Sequence, residues 1–248
     1  SSGYGIMSNW DTSNVTDMTN AFKNTEFNGD ISNWDTSSVT RMHGMFWAAT
    51  AFNQDLSAWD TSAVTDMSSM FSGATSLTSI SLPKTGAVTN MGYMFYGATS
   101  LTSVSLPNTG AVTNMGYMFS SATSLTSVSL LNTDSVTNMR GMFWEATNLT
   151  SVSLPNTGAV TIMSGMFYNA SAFVQDIRGW NVDNVSAGNV CDFYTCFHNM
   201  FSGATAMISN FGATANWNIT PTAAWFDLTP PTMTITESEV SDGDASND

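Results

Sequence analysis

The sequence repeats itself with a period of 24 or 25 residues over most of its length. The period is clearest on one valine, which recurs as Val15, Val39, Val64, Val88, Val112, Val136, Val160 and Val185. A single unit of this size has no partner for its apolar face, and stacked units supply that partner. The sequence therefore predicts a solenoid of about eight units.

Each unit has two halves with different apolar spacing. In the fourth unit the first half places five residues on one side of a helix, namely Val88, Met91, Met94, Phe95 and Ala98. The second half, 101–106, alternates, so that Val104 and Leu106 face inward while Ser103 and Ser105 face outward. We predict an α/β repeat solenoid with one short helix and one short parallel strand in each unit.

Threonine–glycine pairs stand at the start of several predicted helices, at 85–86, 109–110 and 157–158. A threonine oxygen accepts hydrogen bonds from the free N–H groups of a helix start, and glycine permits the bend that leads into it. The prediction is that these threonines act as helix N-caps.

Composition excludes several functions. The 248 residues carry 5 Lys and Arg against 19 Asp and Glu, for a net charge of −14, so the chain lacks the cations that bind a run of phosphates. No apolar run approaches the roughly 18 residues of a membrane-spanning helix. His43 and His198 are the only histidines, and no nucleophile or phosphate-binding motif accompanies them. We therefore expect neither nucleic-acid binding, membrane insertion, catalysis nor a cofactor.

The repeat resembles known bacterial families. The pattern Met-Phe-x-x-Ala-x-x-Leu-x-x-Val-x-Leu-Pro, at 94–107 and 142–155 and with Leu131 in place of the proline at 118–131, resembles the BspA-like leucine-rich repeats of bacterial surface proteins. The form Trp-Asp-Thr-Ser-x-Val-Thr-x-Met-x-x-Met-Phe, at 34–46 and 59–71, is similar to the Met-Phe repeats of bacterial surface proteins and lipoproteins. The resemblance implies a leucine-rich-repeat-like fold at the cell surface, with no shared catalytic residues.

Domain organisation follows from where the period fails. We predict a solenoid over residues 1–227, with an insertion near 186–199 that makes its last unit irregular. Residues 228–248 are rich in proline and acidic residues, and are similar to a linker or to the opening strand of a bacterial Ig-like domain. In the extracellular context that the resemblance implies, Cys191 and Cys196 are expected to form a local disulfide.

The sequence contains candidates for three kinds of metal site, namely copper(I), calcium and zinc. The methionine columns suggest a soft-metal track for copper(I), but their helical spacing next to phenylalanine favours a core. Asp11, Asp35 and Asp60 recur in turns and are calcium candidates, although side-chain capping of the turn is the favoured role. His198 and Asp192 lie near the two cysteines without completing a zinc site. We predict no metal.

Two surfaces are candidates for ligand binding. On the predicted helix, six large aromatic residues point away from the core, and they are Trp47, Tyr93, Tyr96, Tyr117, Trp144 and Tyr168. Such rings stack on sugars, meet a protein partner or simply pack on one another. On the predicted strands, outward serines form uncharged hydroxyl columns that include Ser103, Ser105, Ser127 and Ser129.

Three functions fit these surfaces. The first is an extracellular recognition or adhesion module that binds a glycan or a protein on a cell surface without catalysis. The second is a structural subunit or spacer of a surface filament or layer, in which self-association uses the same aromatic residues. The third is ice binding by the hydroxyl columns, for which thermal hysteresis should be lost in Ser103→Lys or Ser127→Lys.

Overall fold

In a computed structural model, the chain is described over residues 7–177, 179–186, 197 and 199–211. Its regular elements are short: a 3-10 helix Met7–Asn9, strands β1 Ser79–Ser81, β2 Ser103–Ser105, β3 Ser127–Ser129 and β4 Ser151–Ser153, and helices α1 Asp183–Ser186 and α2 Thr205–Phe211. None of the helices in this described part is long and apolar enough to cross a membrane.

The units stack as a parallel solenoid. β1 pairs with β2 in register, with Ser79 opposite Ser103, and β3 pairs with β4 in the same way, with Ser127 opposite Ser151. A second ladder of parallel bridges joins seven successive units two residues after each repeat valine, from Asp17, Arg41, Asp66, Asn90, Asn114 and Asn138 to Ile162. The predicted solenoid is confirmed. The predicted strand in each unit is confirmed in four consecutive units only, because the equivalent described segments 27–32, 52–57 and 173–177 contain no strand. The eighth unit extends into residues that the structure does not describe.

The predicted repeat helix is wrong. Residues 10–177 are all described, and none of them is helical. The backbone amides of this region alternate between two kinds of partner instead. The amide of Phe95 donates to the carbonyl of Met118 in the next unit (2.9 Å), and that of Met94 donates to Met91 three residues back (3.2 Å). Each half-unit is therefore a series of tight turns hydrogen-bonded to its neighbours.

Left-handed backbone at two fixed positions prevents a helix. The residues five and nine positions after the repeat valine have φ between 53° and 71° in the units from Val15 to Val160, and those of the fourth unit are Tyr93 and Gly97. An α-helix requires negative φ at every residue, so each of these positions turns the chain. The apolar spacing correctly predicts that these side chains share one side, but turns of three and four residues place side chains on one side just as a helix does.

A glycine substitution at Ser69 distinguishes a turn from a helix, because the two structures predict opposite changes in the free energy of unfolding. Ser69 has φ of 56°, so Ser69→Gly should raise the free energy of unfolding by about 0.5–1 kcal/mol through relief of left-handed strain. In a helix the same change would lower stability by a similar amount. Ser76→Gly is the control, since Ser76 is exposed and not left-handed, and it should be destabilising. Urea denaturation of the wild type and the two variants measures these changes. A Ser69→Gly variant less stable than the wild type would contradict the turn.

The core consists of columns of identical side chains. The repeat valine from Val39 onward and both methionines of the inner units are fully buried, as predicted for a core rather than a metal track. The strongest column is a phenylalanine ladder whose successive ring centroids are 5.4–5.7 Å apart: Phe22, Phe46, Phe71, Phe95, Phe119, Phe143, Phe167 and Phe201. Interplanar angles of 2–13° show rings stacked along the solenoid axis.

The threonines predicted as N-caps form hydrogen bonds between units instead. Thr85 is fully buried, and its hydroxyl donates to the carbonyl of Asn108 in the next unit (2.7 Å). Six equivalent threonines make the same bond one unit along: Thr12, Thr36, Thr61, Thr109, Thr133 and Thr157. With no helix to cap, the hydroxyl acts as a donor between units instead of an acceptor within one.

Several sequence predictions lie outside the described residues. They are the Cys191–Cys196 disulfide, most of the insertion near 186–199 and the 228–248 tail. The 1–227 boundary of the solenoid is likewise untested, and all of these remain predictions.

Candidate functional site

Five of the six predicted aromatic residues form one continuous row along the solenoid. In order they are Tyr96, Tyr93, Tyr117, Trp144 and Tyr168, with ring centroids 6.0, 5.0, 6.4 and 3.9 Å apart. They occupy positions five or eight after the repeat valine, on the turns that replaced the predicted helix. We call this set the aromatic row.

The aromatic row is exposed mainly at one end. Tyr93 and Tyr96 are 45% and 43% exposed, whereas Tyr117, Trp144 and Tyr168 are half-buried. Part of that burial comes from stacking, since the planes of Trp144 and Tyr168 differ by only 19°. The far end of the row therefore packs on itself, whereas the near end faces solvent, and ligand binding at that end stays a prediction.

Glycines in the next unit make room for two of the rings. The ring of Tyr117 lies where a Cβ on Gly141 would be, and Trp144 Cε3 lies 2.9 Å from the Cβ position of Gly165. Both glycines also have positive φ, at 55° and 62°. An aromatic residue in one unit is thus matched by a glycine in the following unit, a pairing the sequence displays but sequence reasoning missed.

Trp47 stands apart from the aromatic row. It is 38% exposed, and Lys23 Nζ lies 3.8 Å from its ring centroid, which is a cation–π contact. Among the described rings, none pairs with that of Trp47. The structure therefore does not bring this predicted site residue together with the other five.

The sequence around Tyr93 and Tyr96 is uncharged. Residues 85–133 contain no Asp, Glu, Lys or Arg, and Arg140 lies further along the row, with its Cζ 5.8 Å from the Tyr117 ring. Burial against neighbouring groups raises the pKa of Tyr93, so its hydroxyl stays protonated at neutral pH. This end of the row presents apolar rings, neutral hydroxyl tips and amide side chains.

The predicted serine columns are present, but they are divided between two sheets. Ser103 and Ser105 lie on β2 and Ser127 and Ser129 on β3, and all four are exposed. The β1–β2 and β3–β4 pairs are separate two-stranded sheets, so β2 and β3 contact each other without pairing as strands of one sheet. Ice binding by a hydroxyl array on this face stays a prediction.

A groove opens on this strand face beside β1. It has a volume of about 610 Å³ and is lined by Asn53, Gln54, Asp55, Ser57, Thr78, Ser79, Ile80, Ser81, Ser103, Val104 and Ser105. Of the predicted site residues it includes Ser103 and Ser105, while Ser127 and Ser129 lie outside it. Sequence reasoning missed the wall at 53–57, although the change of repeat form at that point was a visible signal.

The turn aspartates cap turns, as favoured by the sequence. Asp35 Oδ1 accepts the Ser37 amide (3.0 Å) and hydroxyl (2.6 Å), and these bonds lower the pKa of Asp35. At Asp60 a hydrogen bond from Lys84 adds to the same arrangement and lowers the pKa to about 2. Within the described residues, no group of three or more His, Cys, Asp or Glu side chains is placed to hold a metal ion.

Comparison with known proteins defines the family. The family model described as "Mycoplasma protein of unknown function, DUF285" matches four overlapping segments, residues 3–104, 76–153, 100–211 and 146–228. The chain belongs to this family. Overlapping matches to one model are expected for a DUF285 chain built from recurring units. The match supports a repeat family without being specific to BspA-like repeats. No curated protein matches the chain.

Three solved structures show weak similarity to this DUF285 chain. They are a leucine-rich-repeat protein of T. pallidum (25% identity, TM-score 0.29), one from Bacteroides ovatus (17%, 0.32) and a leucine-rich cell surface protein from Faecalibacterium prausnitzii (25%, 0.27). The alignments cover 48%, 54% and 40% of this chain. The chain spans 63%, 42% and 31% of the length of these three proteins.

Proposed function

We propose that this chain is a non-catalytic cell-surface recognition module that binds a neutral glycan at the exposed end of the aromatic row. The observation that carries the proposal is the pair Tyr93 and Tyr96, two large rings 6.0 Å apart that are both more than two-fifths exposed. Large aromatic residues are costly to leave in water without a partner, and they supply stacking area together with a polar tip.

The charge pattern supports a neutral ligand. The two tyrosines lie within the uncharged stretch 85–133, in a chain whose net charge is −14. An anionic polymer would be repelled by the chain as a whole and would find no local cluster of cations. A sugar ring, in contrast, offers an apolar face for stacking and hydroxyls for the tyrosine tips and nearby amides.

The aromatic row extends over successive units, so the proposed site is elongated along the solenoid axis. Tyr117 continues from Tyr93 at 5.0 Å, and Trp144 and Tyr168 follow in the next units. Turns hydrogen-bonded from unit to unit hold these rings at a fixed spacing, which lowers the conformational entropy lost on binding. An extended chain of sugars lying along the solenoid axis fits this arrangement better than a compact ligand. The cell-surface location rests on the resemblance of the repeats to those of bacterial surface proteins.

A glycan array tests the proposal with a variant that the chain itself suggests. The preceding unit carries Ser69 and Ser72 at the positions of Tyr93 and Tyr96, so Tyr93→Ser/Tyr96→Ser copies a natural pair in the same fold. We expect the wild type to bind neutral glycans and the variant to bind them at least about tenfold more weakly, since each stacked ring contributes on the order of 1 kcal/mol.

Leu131→Ser is the matched control, because Leu131 is a 68% exposed apolar residue outside the aromatic row. It should bind like the wild type. Selective binding of anionic glycans, or equal binding by the tyrosine variant, would contradict the proposal. Absence of glycan binding together with self-association at micromolar concentration, lost in the tyrosine variant, would favour the structural subunit instead.

A further inference from the structure

The strand-face groove, defined by its eleven lining residues above, opens where two repeat forms meet. On one side is the segment 52–57, Phe-Asn-Gln-Asp-Leu-Ser, and on the other is β1. Asn53 Oδ1 accepts the amide of Thr78 (3.0 Å) and its hydroxyl (3.1 Å), so a side chain takes the place of a neighbouring strand. The backbone of 53–57 is not paired with β1, and the gap between them is the groove.

Glutamine explains why the gap lies on this side of the segment. Gln54 Nε2 donates to the carbonyl of Asn28 (3.1 Å) in the preceding unit. The equivalent Gln175 also bonds backward, to both the amide and the carbonyl of Val152 (2.7 and 2.9 Å). In this repeat form the glutamine therefore hydrogen-bonds to the preceding unit, and the side that faces the following unit is left without such bonds. Among the described units, 52–57 is the one followed directly by a strand.

Four serine hydroxyls face the groove without a protein partner. Ser79 and Ser81 on β1 lie in register with Ser103 and Ser105 on β2, so the hydroxyls are about 4.8 Å apart across the strands and about 6.8 Å apart along them. Neighbouring threonines use their hydroxyls internally, as in Thr102 Oγ1 to the Thr78 carbonyl (3.0 Å). Within the described part of the chain, none of these four serine hydroxyls makes such a bond.

The wall of the groove selects by charge. Asp55 Oδ1 accepts the Ser57 amide (2.8 Å) and Oδ2 accepts its hydroxyl (3.0 Å). The amide bond is the largest influence that lowers the pKa of Asp55, which is ionised at neutral pH. The lining contains no Lys, Arg or His. An anionic ligand would meet one fixed negative charge and no compensating cation.

We propose that the strand-face groove binds a single neutral saccharide unit through the Ser79, Ser81, Ser103 and Ser105 hydroxyls and the Asp55 carboxylate. Its volume lies within the range of small-molecule sites. Sugar hydroxyls both donate and accept, and so do serine hydroxyls. A peptide side chain would find little apolar contact, because Ile80 and Val104 are the sole apolar residues in the lining.

This site is independent of the proposed function at the aromatic row. The groove lies on the strand half of the units, whereas Tyr93 and Tyr96 lie on the turn half. Loss of one site should leave the other intact, so the two proposals fail separately.

The test measures binding of neutral monosaccharides and disaccharides by saturation-transfer NMR and calorimetry. Ser79→Ala/Ser103→Ala removes two groove hydroxyls, and Ser127→Ala/Ser151→Ala is the matched control. The control serines are paired in the same register on the same face but lie outside the groove. We expect at least one sugar to bind with a Kd of about 1 mM or tighter, and to bind the groove variant about tenfold more weakly, as expected for two lost hydrogen bonds.

A second variant, Asp55→Asn, keeps the shape of the wall and removes its charge. It should weaken binding of the neutral sugar by less than the serine pair and should relieve the exclusion of sugars that carry a carboxylate. Tyr93→Ser/Tyr96→Ser should bind the small sugar like the wild type. The proposal is overturned if no neutral sugar binds at about 1 mM, if the control pair loses binding equally, or if binding is lost with the tyrosines.

Discussion

Replacing Phe119 with alanine is expected to lower the free energy of unfolding by about 3–5 kcal/mol. Phe119 is fully buried and its ring lies 5.4 Å from that of Phe95 and 5.7 Å from that of Phe143. Alanine removes the ring from the middle of the phenylalanine ladder and leaves a cavity between the two neighbouring rings. The loss of stability therefore includes both the transfer free energy of the buried ring and the cost of the cavity that it leaves.

Urea and thermal denaturation measure this effect, with a fall in Tm of about 6–20 °C for a chain of this size. Phe119→Leu is the control, because it retains most of the apolar volume and should lose clearly less stability. Since each unit contacts its neighbours alone, hydrogen exchange should accelerate most in residues 88–143 and least near Val39. A loss below about 1 kcal/mol would show that the ladder is not the main element of the core.

Thr85→Val is expected to have the second largest effect, a loss of about 1–3 kcal/mol. Valine has the shape of threonine but lacks the hydroxyl, so the carbonyl of Asn108 loses a buried donor at 2.7 Å. Because seven threonines make this bond, the same substitution at any inner unit should act similarly. The effect arises from the lost hydrogen bond between units rather than from lost volume.

Thr89→Val in the same unit is the matched control. Thr89 is exposed, and its hydroxyl bonds to the Thr65 carbonyl at 3.2 Å, where water replaces a lost donor. It should change stability by less than about 0.5 kcal/mol. Thr85→Ser keeps the donor and should lie between the two. Equal stability of Thr85→Val and Thr85→Ser in urea denaturation would mean that the hydroxyl contributes nothing.

The sequence by itself determined the period, the stacking and the core. A valine that recurs every 24 or 25 residues aligns the same side chain in every unit, and parallel stacking is the arrangement that buries all of those columns. The alternation around Val104 also predicted the short strands correctly, including the serines that face outward. These features depend on hydrophobic pattern alone, which is local and periodic.

Tertiary structure decided what lies between the strands. One-sided apolar spacing is common to a helix and to a run of tight turns, so pattern could not separate them. The choice was made by amide donors such as Phe95, which bond to the next unit, and by left-handed residues such as Tyr93. Hydrogen bonds between units exist only once the units are stacked, which is why the apolar spacing within a single unit favoured the helix.

The candidate sites were also predicted in part from the sequence and determined in part by the tertiary structure. The sequence named Tyr93 and Tyr96 as outward aromatics, but their neighbours and exposure follow from how each ring stacks on the next unit. The groove wall at Asp55 was missed entirely, because the opening arises from a mismatch between two repeat forms rather than from any motif within one. A repeat fixes what each unit buries, whereas the surface features that we propose as binding sites arise at the junctions between units, because those features require two units in contact.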